Sequence, residues 1–447
     1  MTVDPADLTA TELAPKLAGG EVRALELTEA CLKRISERDG DIEAWVHLDP
    51  DHARAQAKSL DEQREAGRPI GPLHGLPVGV KDIFDTADMP TENGTVLHRG
   101  RQPREDATAV SLLRQAGAVI LGKTVTTECA LLHPGKTRNP HDRARTPGGS
   151  SSGSAAGVAA SMIPLALGTQ TNGSMIRPAS FCGVFGLKPT FGLIPRTGIF
   201  AQSRFLDSPG VYGRSVADLA LIGEAVMRHD PRDPDTQPRP APPLRALAAE
   251  APPVPPALAF VKTPVWDKAD DDAKEAFGEL ASALGARCDE VELPEIFAGA
   301  WDWHRKVMFA DIAKSFAGLY ERGRDKLSEN LRGIVEEGRE VKAVDYAAAK
   351  DWRAVLNAGL NAIFERYDAI VTPAATGEAP LGLATTGDPT FCTLWTFCGT
   401  PALSLPLLVG AHGLPIGVQL VGPCGDDARL LRTGAWLVDH LSAREET

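Results

Sequence analysis

The residues in this chain that can do chemistry are hydroxyls set in glycine-rich turns. Gly148-Gly149-Ser150-Ser151-Ser152-Gly153-Ser154 makes one cluster, and Thr169-Gln170-Thr171-Asn172-Gly173-Ser174 makes a second. Glycines beside serine let the backbone turn tightly and leave N–H groups free. Acyl transfer needs such a turn, with a hydroxyl nucleophile next to N–H donors that hold an oxyanion. A flexible Gly/Ser linker has a similar composition. Here the apolar run Ala155 to Leu167 and the segment Phe181-Cys182-Gly183-Val184-Phe185-Gly186-Leu187 enclose the serines, which places them in a core. Six serines lie from Ser150 to Ser174, and residue types alone do not choose the nucleophile among them.

A serine hydroxyl is a poor nucleophile until a base takes its proton. The ten histidines are scattered without a motif. Upstream, Leu76-Pro77-Val78-Gly79-Val80-Lys81 reads as a short apolar strand ending in a lysine, followed by Asp82. Most lysines are solvated. Burial of this one would lower its pKa, as a general base requires. Gly117-x-x-x-x-Gly122-Lys123-Thr124 has Walker A spacing. In a P-loop the four intervening residues wrap the phosphates; here they are Ala-Val-Ile-Leu, a buried strand, so the match is fortuitous. Arg177 reads as a structural ion-pair partner. Asp207, before Ser208-Pro209-Gly210, reads as ordering a turn or pairing with a cation.

The elements that must position these groups alternate between strand and helix. Residues 5–65 read as helices, with a capping box at Thr9-x-x-Glu12. A helix and strand follow over 107–121, and a helix starts near Ser215. Residues 231–256 are Pro-rich and read as an extended surface segment. Strands are expected at Ala257–Lys262, Val291–Pro294, Asp368–Pro373, Ala402–Val409 and Ile416–Val421. Helices are expected at Asp270–Leu284, through most of 295–365, and at Leu430–Leu441. Residues 376–395 read as a loop near the site. The fold class is α/β, in one domain over 1–447: a helical layer (1–65), a core (70–225), the Pro-rich segment, and an α/β part (257–447) that completes the sheet.

Composition narrows the function. A net charge of −12 argues against nucleic acid or an anionic membrane as partner. Seven cysteines without CxxC pairs make neither a disulfide framework nor a zinc site. No apolar run reaches the ~18 residues of a membrane span. The N-terminus MTVDPADLTATEL has no leader pattern, so a cytoplasmic protein is expected.

The GGSSSGS loop, GTQTNGS, the following Arg-Pro-Ala, FCGVFGLKP and the lysine of Gly75–Asp82 together resemble the amidase signature family of serine hydrolases. The likeness is strong from Gly71 to Leu221 and returns in Tyr367–Pro373 and Gly399–Gly422. It implies a large mixed β-sheet with helices on both faces and a Ser–Ser–Lys triad. Lys81, neutral, would take a proton from Ser150, which sits beside a cis peptide bond and deprotonates the nucleophile Ser174. Thr171, Asn172, Gly173 and Ser174 would supply the oxyanion hole, with Gly173 allowing a sharp turn. No cofactor or metal is implied. The expected substrate is a small-molecule amide or carbamate, and the expected state a monomer or homodimer. Three departures stand out: Gln170 where an aspartate is usual, Asn172 where a glycine is usual, and an arginine three residues after the nucleophile instead of two. This version resembles a branch with arylamidases and urethanases. Two alternatives are the transamidation subunit of a tRNA-dependent amidotransferase and a non-catalytic binding protein on the same scaffold.

Overall fold

The computed structural model describes residues 4–445, so the first three residues of the N-terminal stretch lie outside it. Its frame is one sheet of eleven strands: β1 (Trp45–Leu48), β2 (Pro77–Lys81), β3 (Val119–Thr124), β4 (Leu165–Gln170), β5 (Phe185–Lys188), β6 (Ser208–Gly213), β7 (Leu258–Phe260), β8 (Cys288–Glu290), β9 (Ala369–Pro373), β10 (Ala402–Val409) and β11 (Pro415–Val421). Across the sheet the order is β1-β3-β2-β4-β6-β5-β10-β11-β9-β7-β8. β2 runs parallel to β3 and β4, and β7 runs parallel to β8 and β9; the remaining neighbours are antiparallel. Every residue of β2, β3, β4, β6 and β9 is buried. Successive strand side chains point to opposite faces, so helices cover the sheet on both sides. This is the mixed α/β architecture expected.

Several elements differ from expectation, each for a local reason. Residues 5–65 contain β1 between their helices; four residues are too few to show a period-2 pattern. The capping box does form: Thr9 Oγ1 accepts from Glu12 N–H, and Glu12 accepts from Thr9 N–H. Ser208-Pro209-Gly210 is not a turn but the start of β6. Proline survives there because Pro209 pairs only with Thr169 of β4, while the β5 ladder stops at Val211. The strand expected at Val291–Pro294 lies three residues earlier, as β8. Residues 390–398 form a buried helix, Thr390–Cys398, which begins within the stretch 376–395 read as loop and runs past its end. The Pro-rich segment includes the helix Leu244–Ala248, anchored by the fully buried Leu244.

Gly122, Lys123 and Thr124 lie in β3, and Lys123 is fully buried. Its ammonium donates to Phe84 O (2.9 Å), Pro90 O (3.2 Å) and Thr91 Oγ1 (2.6 Å), and lies 3.3 Å from Asp82. It therefore ties the loop leaving β2 to the sheet, and no phosphate site exists there. The helix Ser152–Ala159 follows the first serine cluster and docks through Gly153. Gly153 N–H donates to Val125 O (3.0 Å), and Val125 N–H donates to Ala44 O (2.9 Å). A Cβ at residue 153 would sit 2.1 Å from Ala44 O and 2.4 Å from Val125 N, both rigid backbone atoms. Gly153→Ala should therefore destabilise the protein by about 1–3 kcal/mol, read as a lower urea midpoint. An unchanged midpoint would show that the helix can shift without cost.

Candidate active site

Lys81 is the last residue of β2, and β2 is flanked by β3 and β4. Val78, Val80 and their neighbours bury the strand, so the Lys81 side chain reaches its end without meeting solvent. Its Nζ donates to Ser150 Oγ and to Thr169 Oγ1, each at 2.8 Å. Among the described residues no carboxylate lies within ion-pair distance of it. Burial pushes the Lys81 pKa well below the usual lysine value, and the more distant Asp207 carboxylate only partly opposes this.

The first serine cluster wraps around the end of that lysine. Gly148 has φ 82°, a conformation that favours glycine, and the Gly149–Ser150 peptide bond is cis. Ser152 Oγ donates to Gly148 O at 2.8 Å, closing the turn. Ser151 Oγ accepts from Thr169 N–H and donates to Thr169 O, both at 3.2 Å, and so joins the loop to β4. Arg177 completes the enclosure. It is fully buried, its Nη2 donates to Gly149 O (2.7 Å), and its Nε donates to Thr386 O (2.7 Å). Its partners are carbonyls and a threonine hydroxyl, so the ion-pair role expected from sequence is not what the structure shows. Two carbonyls suit a planar fork of N–H donors as well as a carboxylate does.

Ser174 follows β4 through the turn Thr171-Asn172-Gly173 and precedes the helix Ile176–Cys182. It is half-buried, and its Oγ makes no hydrogen bond among the described residues. The structure thus brings Lys81 and Ser150 into direct contact but leaves Ser174 unbonded to Ser150. Hydrogen bonds between reacting groups are often incomplete before substrate binds. The N–H groups of Asn172, Gly173 and Ser174 also find no acceptor among the described residues. Gly173 does not adopt a left-handed φ. Its lack of a side chain matters because a Cβ would sit 2.9 Å from Pro389 Cβ and 3.0 Å from Arg177 Nη1.

The unusual Gln170 has a clear place. Its Oε1 accepts from Met175 N–H (2.8 Å) and Ile176 N–H (3.0 Å), capping the helix that follows Ser174. Its Nε2 donates to Thr396 Oγ1 at 2.9 Å. Thr396 in turn donates to Asn172 O (2.5 Å), and Thr393 Oγ1 donates to Asn172 Oδ1 (2.8 Å). His304 Nε2 lies 2.9 Å from Thr171 O and must donate, since a carbonyl only accepts. Sequence reasoning misses His304, Thr393 and Thr396. The i, i+3 spacing of Thr393 and Thr396 is the available signal, hidden because the stretch up to residue 395 reads as loop. Asp207 does not order the turn expected at 208–210, which is strand; it holds the loop before it instead, accepting from Gln202 N–H (2.9 Å), Ser203 N–H (3.1 Å) and Thr171 Oγ1 (2.6 Å). Burial pushes its pKa up to about 6. A cavity of about 280 Å³ opens beside these groups, lined by Thr169, Thr171 and Asp207 with apolar Ile83, Ala130 and Phe200.

The sequence model of the Amidase family matches residues 26–431. The chain is 36% identical over 470 residues to a glutamyl-tRNA(Gln) amidotransferase subunit of Thermobifida fusca (strain YX), covering 96% of this chain and 94% of that protein. The fold superposes on the native peptide amidase of Stenotrophomonas maltophilia with a TM-score of 0.85 at 29% identity, covering 98% of this chain and 97% of the other. A chain from a vestigial protein complex, described as revealing the evolutionary origins of an s-triazine catabolic enzyme, gives a TM-score of 0.90 at 30% identity, covering 97% and 98%.

Gln170→Leu would leave the Met175 and Ile176 N–H groups buried without their acceptor. A loss of about 1–3 kcal/mol in unfolding free energy is expected for such a change, measured by chemical denaturation. Stability equal to that of the parent would mean that water replaces the cap.

Proposed function

The chain belongs to the amidase family, and from that premise we propose that it hydrolyses a small-molecule C–N amide bond through an acyl-enzyme on Ser174. The observation that carries this reading is the fully buried Lys81, unpaired with any carboxylate among the described residues and 2.8 Å from Ser150 Oγ. Burial favours the neutral amine, which can turn its lone pair toward the Ser150 hydroxyl and receive that proton. Ser174 Oγ attacks the carbonyl carbon, its proton passes to Ser150, and the Ser150 proton passes to Lys81. The carbonyl oxygen gains negative charge and is held by the free N–H groups of the turn. Collapse breaks the C–N bond, and the amine leaves with the proton returned through Ser150. Water then attacks the acyl carbon by the same relay and frees Ser174.

Membership of this family makes the chain an enzyme of the amide hydrolase or amidotransferase kind. The similarity to an amidotransferase subunit favours a second reading, in which the chain is a transamidation component that works with a partner delivering activated aminoacyl-tRNA. Purified alone, a hydrolase turns over p-nitroacetanilide or an aliphatic amide, whereas a transamidation component needs its partner. The substrate class we propose extends to aryl carbamates. Attack on a urethane with loss of the arylamine leaves a carbonate ester on Ser174, which water attacks more readily than a carbamoyl-serine. A relay that protonates departing amines favours this order.

Ser174→Ala should lower kcat by about 10⁴-fold or more with folding preserved, and a fluorophosphonate probe should label the parent at Ser174. Turnover by Ser174→Ala at the parental rate would remove the assignment. The rate should rise with pH, since the ammonium form of Lys81 cannot accept a proton, and level off above its lowered pKa. Lys81→Ala should lose both that limb and most of the rate; an unchanged profile would assign the base elsewhere. With a chromogenic aryl carbamate, stopped-flow should show arylamine released first. Trapping a carbamoyl mass on Ser174 would reverse that order.

A further inference from the structure

We propose that His304 and Thr396 are positioning residues that aim two backbone N–H groups at the substrate oxygen. The inference rests on the assignment of Ser174 as nucleophile and of the preceding turn as its oxyanion hole. In a trans peptide unit the carbonyl and the following N–H point in opposite directions. The Thr171 carbonyl shares its unit with Asn172 N–H, and the Asn172 carbonyl shares its unit with Gly173 N–H. His304 holds the first carbonyl at 2.9 Å and Thr396 holds the second at 2.5 Å. Each bond therefore fixes the direction of one N–H that has no acceptor of its own among the described residues.

A peptide unit flipped by rotation of its flanking dihedrals would place a carbonyl oxygen where the N–H now points. That oxygen would repel the charge that develops during attack. The two braces oppose such a flip from separate elements, the helices Ala300–Ser315 and Thr390–Cys398. Thr393 adds a third bond that holds the Asn172 side chain to the same helix. His304 is fully buried, and burial lowers its pKa to about 4, so it is a neutral N–H donor at neutral pH. A buried histidine usually needs some partner for its ring nitrogen. What marks this one is which carbonyl it has taken, together with an independent hydroxyl on the next carbonyl.

The test compares His304→Phe, His304→Gln, Thr396→Val and Thr396→Ser with the parent. The readouts are p-nitroacetanilide hydrolysis and inhibition by phenylboronic acid, whose tetrahedral adduct on a serine occupies the oxyanion hole. Loss of a whole oxyanion donor costs roughly 10²–10³ in kcat, so a misaimed one should cost about 10–100-fold. His304→Phe and Thr396→Val should show that loss in kcat, with KM within about twofold and boronate affinity weakened by the same factor. His304→Gln and Thr396→Ser keep a donor and should return both values to within about fivefold of the parent. Folded Phe and Val variants with parental kcat would overturn the proposal, as would a lowered kcat with unchanged boronate affinity. Should His304→Phe fail to fold, the isosteric Thr396→Val and its Ser counterpart decide by the same criteria. A parent that phenylboronic acid does not inhibit, with an active Ser174→Ala, would instead overturn the nucleophile assignment beneath the proposal.

Discussion

A lysine ammonium taken out of water without a counter-ion is costly, and the surroundings of Lys81 favour its neutral amine. The strand that carries it is buried on both faces, its neighbours on each side are parallel strands, and its two hydrogen-bond partners are neutral hydroxyls. A carboxylate in the same place would hold the proton on Lys81, against the base role proposed for it. The nearest competing charge, Asp207, is itself held by a hydroxyl and two backbone N–H groups. The contrast with Lys123 on the adjacent strand is instructive. It is equally buried, yet it faces Asp82 and a set of backbone carbonyls. One buried lysine is left without an acidic partner while its neighbour fastens a loop.

From that constraint the rest of the site follows in layers. Ser150 must reach Lys81, which requires the close turn at Gly148 and the helix docking that Gly153 permits. Ser174 must emerge at the end of β4, beside that turn, which requires a helix start that Gln170 caps. Arg177 then joins the two serine loops to residues 385–387 by bonding the carbonyls of Gly149 and Thr386. None of these supports is acidic or basic by function except Arg177. Around the two serines the supports are mainly hydroxyls, amides and carbonyls, while Asp207 and His304 hold the Thr171 end of the turn.

How much of this can be read from sequence depends on whether a residue's role is local. Lys81 is legible because the five residues before it are apolar and burial follows from them. The Gly/Ser clusters are legible as turns, though choosing Ser150 and Ser174 needs the family resemblance. The Thr9 capping box needs only four consecutive residues. By contrast, β6 is hidden because Pro209 and Gly210 signal a turn, and only the sheet reveals that Pro209 lies beyond the β5 ladder. The helix Thr390–Cys398 is hidden in a stretch rich in Gly, Thr and Pro. His304 sits among the aromatics of a helix and carries no mark of its partner 133 residues away. Roles set by a carbonyl on another element leave no trace in spacing.

The Gln170–Thr396–Asn172 chain is directional, since each group hands its hydrogen to the next. A threonine hydroxyl has one proton, and the amide of Gln170 occupies its oxygen, so that proton is committed to the turn. An acidic residue at position 170 would still cap the helix but would compete for the same proton, drawing it away from Asn172. Positions 170 and 396, separated by 226 residues, therefore act on the turn as one unit. Lineages that exchange the amide for an acid must find another way to hold the Asn172 carbonyl, and the two positions should drift together across descendants of this chain.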